Sequence, residues 1–87
     1  MMEFRSGVVV FCDELAKELS KMTDEFIIFV EDGCGNELYT VEAVTEAPSH
    51  QVMILGDLDE YEVGGRKRVE ITVVDLDLED ECEEGRS

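Results

Sequence analysis

Few side chains in this chain could do nucleophilic or metal chemistry: one histidine, His50, and three cysteines, Cys12, Cys34 and Cys82. A Cys–His dyad needs both groups within hydrogen-bond reach and a third group to orient the imidazole. Nothing in the spacing supplies that arrangement, and His50, in a Pro-Ser-His-Gln stretch, reads as an exposed turn residue. Three cysteines and one histidine match the ligand count of a zinc site, but structural zinc sites offer at least one closely spaced pair. Here the gaps are 22 and 48 positions. Cys12 reads as a small buried hydrophobe, Cys34 as a loop residue and Cys82 as part of the tail. An odd set without a close pair fits a reducing cytosol better than a disulfide framework.

Oxygen ligands are abundant, so calcium is the next chemistry to test. An EF-hand loop places oxygen ligands at positions 1, 3 and 5, glycine at 6 and glutamate at 12. A loop starting at Asp57 puts Tyr61 fifth and Glu62 sixth; one starting at Asp75 puts Asp80 sixth and Arg86 twelfth. Both fail. The GCGN stretch at 33–36 is no phosphate loop either, because it lacks the GK[ST] signature and lies between two predicted strands. No cofactor, no metal and no enzymatic activity are expected.

What remains is the acid itself. The 87 residues hold 23 acids and seven bases, a formal net charge of −16. Such a chain repels phosphate backbones, whose binding requires Lys and Arg to displace counterions, and it repels anionic membranes for the same reason. Direct nucleic-acid and membrane binding are therefore excluded as expectations, and a basic protein surface is the favoured partner. Residues 57–87 hold twelve of the acids and four of the bases, half the net charge. Asp57, Asp59, Glu60 and Glu62 form one cluster. Asp75, Asp77, Glu79, Asp80 and Glu81, followed by Glu83 and Glu84, form another. If the last strand runs on to Leu78, then Asp75, Asp77 and Glu79 fall on one face about 7 Å apart. That spacing is of the same order as that of phosphates along a nucleic-acid strand. The nine residues from Asp57 to Glu81 named here are the candidate partner-binding set. The competing reading is a solvated tail and a charged edge that blocks aggregation.

The elements that must position these residues follow from periodicity. Leu15, Leu19 and Met22, with Ala16 beside them, make one face of an amphipathic helix starting near Asp13, which is placed to cap it. Residues 8–11 are compatible with a short strand or the first helical turn. The FIIFV run at 26–30 is apolar on both faces, as a central strand is. EDGCGN at 31–36 is a hairpin loop, 37–44 the returning strand and 51–55 a third strand. Residues 56–68 form a polar excursion turning at Gly64-Gly65. In the fourth strand, 69–76, Val69, Ile71 and Val73 share one side. The expected fold is α+β: one amphipathic helix packed on a four-stranded, mainly antiparallel sheet. Residues 1–78 would form a single domain, with 79–87 a flexible acidic tail. No window reaches the roughly 18 apolar residues of a membrane span, and the N-terminal stretch does not read as a signal peptide. A cytoplasmic location is expected.

The segment 15–44, LAKELSKMTDEFIIFVEDGCGNELYTVEAV, resembles a pattern in small bacteriophage and mobile-element accessory proteins. There a short helix precedes a Thr-Asp-led apolar strand, an Asp-Gly-x-Gly-Asn turn and a return strand. Small size and extreme acidity are also similar to phage-encoded inhibitors of host defence, including anti-CRISPR proteins and DNA mimics. The resemblance implies a non-enzymatic phage-type inhibitor or nucleic-acid mimic, acting in the host cytoplasm on a basic nucleic-acid-binding protein. The alternative is a small accessory domain acting through an apolar patch, with residues 8–11 as a candidate part, or self-associating as a homodimer; its acidic tail would only solubilise.

Overall fold

The computed structural model describes residues 4–77. Strand β1 (Val9–Phe11) leads directly into helix α1 (Cys12–Met22). Then come β2 (Glu25–Glu31), β3 (Glu37–Val41), a single 3-10 turn (Val44–Glu46), β4 (Gln51–Ile54), β5 (Asp59–Val63) and β6 (Arg66–Asp75). The architecture is α+β, with one helix on one sheet, but the sheet has six strands rather than four. Its order is β1-β4-β6-β2-β3, and β5 pairs with the first half of β6 on the side that β4 takes on the second half. Four pairings are antiparallel and the central one, β2 with β6, is parallel. A simple meander is thereby ruled out. The chain leaves β3 at one edge and reaches β4 on the far side of β6, with Val44 and Ala47 packed against the core on the way.

The helix forms because its buried residues, Cys12, Leu15, Ala16 and Leu19, recur at helical spacing. Full burial of each leucine is worth on the order of 1.5–3 kcal/mol. Their partners are the alternate residues of the central strands: Phe26, Ile28 and Val30 in β2, and Val69, Ile71 and Val73 in β6, with Val41, Val52 and Ile54. The helix starts one residue before the predicted site. Phe11 is its extended N-cap and no side chain caps it, so Asp13 does not play that role. The Cys12 amide instead donates to the His50 carbonyl at 2.7 Å. At the other end the Thr23 hydroxyl donates to the Lys67 carbonyl at 2.6 Å, joining the helix terminus to the start of β6.

The two hairpins use different turn chemistry. Between β2 and β3, Asp32 Oδ1 accepts from the amides of Cys34 (2.7 Å) and Asn36 (3.0 Å). These bonds, the Asn36 amide foremost, hold the Asp32 carboxyl below the usual aspartate range. Between β5 and β6, Gly64 and Gly65 both take positive φ, +61° and +81°. Two such residues make the tight primed turn that matches strand twist. The polar excursion expected at 56–68 therefore contains a strand, β5. No helix among the described residues is long and apolar enough to cross a membrane.

Candidate docking face and the buried Asp75 cluster

Among the described residues, the acids of the first cluster and Asp75 do not converge. Asp57, Asp59, Glu60 and Glu62 are exposed, the last three on β5. Asp59 is in register with Glu70, and Glu62 with Lys67. Asp75 lies five residues further along β6 than Glu70, or about 16 Å at the usual strand rise. Of the β5 acids Glu60 lies 3.6 Å from Lys67 Nζ, while the neighbouring bases pair with acids of other strands: Arg66 Nη1 is 3.1 Å from Glu25 of β2 and Arg68 Nε is 3.8 Å from Glu70 of β6. Tyr61 donates to Glu70, a bond that raises the Tyr61 phenol from its ordinary range.

Asp75 overturns the expected exposed row. It is 0% exposed, on the core side of β6 in phase with Val69, Ile71 and Val73, and does not face solvent. Asp77 is exposed and accepts from the Gln51 amide at 3.3 Å. Glu79, Asp80 and Glu81, with the remainder of the predicted tail, lie outside the described residues.

Around Asp75 the fold assembles a polar cluster that sequence spacing did not suggest. Asp75 Oδ2 accepts from the Tyr39 hydroxyl at 2.7 Å and sits 3.0 Å from His50 Nδ1; Oδ1 accepts from the Asp77 amide at 3.0 Å. His50 is thus no free turn residue: a proton on Nδ1 is directed at the carboxylate. Cys12 lies at the same end of the core. Burial first, then the charges of Asp75 and Asp13, push its thiol up to about 11. The Tyr39 phenol is likewise raised, by burial and then by its bond to Asp75. A nucleophilic cysteine needs an accessible thiolate, and Cys12 is buried and held protonated. The cluster instead joins β3, the entrance to β4, the helix start and the end of β6. Among the described residues no group of three or more His, Cys, Asp or Glu is placed to hold a metal. Cys34, expected as a loop thiol, lies exposed in the β2–β3 turn and is disulfide-bonded, whereas Cys12 is free. Cys82 lies outside the described residues.

The remaining feature is the face of the sheet opposite α1. Strand alternation sends every second side chain there: Val9 and Phe11 from β1, Met53 from β4, Val74 from β6, Ile27 and Phe29 from β2, and Leu38 from β3. Val9 pairs with Met53, Met53 with Val74, and Val74 with Glu31, so the row crosses four strands. Val9 is 47% exposed, Phe11 49%, Leu38 42% and Leu55 40%. Met53, Leu55, Val74 and Leu76 line a groove of about 420 Å³ whose other wall is Glu31, Asp32, Gly33 and Gly35. The signal for this face was the doubly apolar FIIFV run, which calls for cover on both sides. The chain matches no known protein family, no curated protein and no solved structure.

Proposed function

We propose that the protein is a non-enzymatic binding module that docks on a protein partner through the face of its sheet that no described helix covers. One observation carries this reading: Val9 and Phe11 on β1 and Leu55 at the end of the neighbouring β4 are large apolar residues, 40–49% exposed, at one side of the face opposite the helix. Contiguous exposed apolar surface on a small domain marks an interaction site. The net charge of −16 supports a basic partner, because charge of this size steers encounter with the opposite sign and slows it with its own. A basic nucleic-acid-binding protein, the partner class implied by the resemblance to phage inhibitors, has the required sign. A nucleic-acid mimic built on the row Asp75, Asp77 and Glu79 is not retained, since Asp75 is buried.

The test is capture from a bacterial lysate by the immobilised full chain, comparing the parent, Phe11→Ser with Leu55→Ser, and Glu60→Gln with Glu62→Gln. Discrete proteins retained by the parent and the β5 variant but lost by the face variant support the reading. Equal capture by the face variant contradicts it.

A further inference from the structure

We infer that the open face receives an amphipathic α-helix of a partner protein, its apolar stripe flanked by Lys and Arg; this rests on the docking face proposed above. The covered face shows how this sheet accepts a helix. There α1 lays Leu15, Ala16 and Leu19 across the inward residues of β2 and β6. The open face offers a matching platform. Val9, Met53 and Val74 stand in register on three adjacent strands, with Val9 exposed, Met53 half-buried and Val74 only 6% exposed at the floor, a span of about 10 Å from strand spacing, close to the diameter of one helix.

A face, unlike an edge, has its backbone groups engaged in the sheet ladder, so a partner must bind it through side chains. That favours a helix over an added strand.

The rim sets the sign. Glu31 and Asp32 wall the groove beside Leu55 and Leu76. Asp77 accepts from the amide of Gln51, whose carbonyl accepts from the Leu76 amide, which places an exposed carboxylate where the end of β6 meets the start of β4. The bases of β6 lie at the far end of the strand: Arg66 is beside Glu25 and Arg68 beside Glu70. Acid thus borders the apolar row, and Lys or Arg flanking an apolar stripe is its complement. A second copy would bring like-charged rims together between chains that each carry −16. The chain's own C-terminal stretch, with Glu79, Asp80, Glu81, Glu83 and Glu84, has the wrong sign.

The probe is a synthetic amphipathic helix with leucine at the a and d positions of each heptad and lysine elsewhere. It is titrated into the isotope-labelled full chain and followed by amide shifts. Its controls are a helix with glutamate in place of lysine and a lysine peptide of the same composition with the stripe scrambled. Saturable shifts along β1, β4 and the second half of β6 are expected. Phe11→Ser with Leu55→Ser should weaken binding about tenfold or more, as loss of central apolar anchors does. Serine is a favoured N-cap, so the change at position 11 keeps the helix start. Glu31→Gln with Asp77→Asn should weaken binding several-fold and flatten its salt dependence.

The inference is overturned if the scrambled peptide binds as well, if the glutamate helix binds as well, or if the leucine–lysine helix does not bind. A concentration-dependent dimer mapped to the same face would also overturn it. If lysate capture still depends on Phe11 and Leu55 while the helix fails, only the partner class is lost. If neither depends on them, the docking face is lost too.

Discussion

The two faces of one sheet are built from neighbouring residues of the same strands, yet they have opposite fates. In β2, Phe26, Ile28 and Val30 are buried beneath α1, whereas Ile27 and Phe29 are half-buried on the face without a helix. In β6, Val73 belongs to the covered core and Val74 floors the open groove. The open row is the more polar of the two, since in β6 it carries Arg68, Glu70 and Thr72 before Val74, where the covered row carries Val69, Ile71 and Val73; cover and composition both separate the faces. A central strand that is apolar on both sides normally has both sides covered. The described chain supplies one layer; in the docking proposed above, a partner supplies the second.

The covered face should be the one that controls stability, most of all at its polar end. Replacing Asp75 by Ala leaves the Tyr39 hydroxyl and His50 without their shared acceptor and is expected to cost about 1–3 kcal/mol for each group left unsatisfied. Urea denaturation followed by circular dichroism checks it. A loss below about 1 kcal/mol would show that the cluster does not hold these elements together. Ile28→Ala should cost about 2–5 kcal/mol, the range for truncating a buried aliphatic. Phe29→Ser, one residue away on the open face, should cost clearly less. Equal losses would mean that the faces are not different environments.

Alkaline pH probes the same end of the core. The Cys12 thiol ordinarily titrates near 9 and is raised to about 11 in the fold. A group raised on folding contributes stability that is complete below its unfolded pKa and is lost as pH rises through the folded value. Stability should therefore fall between about pH 9 and 11, by on the order of 2–3 kcal/mol. Tyr39 acts in the same direction at higher pH, since its phenol is also raised. Cys12→Ala should remove the first part of the decline. An unchanged pH profile in that variant would contradict the assignment.

The smallest effect belongs to the open face. Val9→Ser and Leu55→Ser should each change stability by about 0.5 kcal/mol or less, as exposed substitutions do. A larger loss would mean that these side chains already serve the fold.

Much of this division is written in the residue pattern. The helix, the apolar run of β2 and the Asp32 turn follow from local spacing and turn chemistry, and they occur where the pattern places them. Strand β5 was obscured because DEYEV is mostly acidic, although the following Gly64-Gly65 is a hairpin signal. The parallel pairing of β2 with β6 brings together segments some forty residues apart, and no local preference encodes it. Asp75 is the instructive case. The alternation that makes Val69, Ile71 and Val73 core also carries Asp75 to the core face, but the neighbouring carboxylates draw the eye toward solvent. Its partners Tyr39 and His50 come from other strands and loops, so their convergence is visible only in three dimensions.

The most direct test places a photoreactive benzophenone side chain at one of two positions in the full chain. Position 11 lies on the open face, and position 14 on the exposed side of α1. After irradiation in a bacterial lysate, a discrete protein adduct should form from position 11 and be absent from position 14. An adduct from position 14 and none from position 11 would contradict docking through the open face.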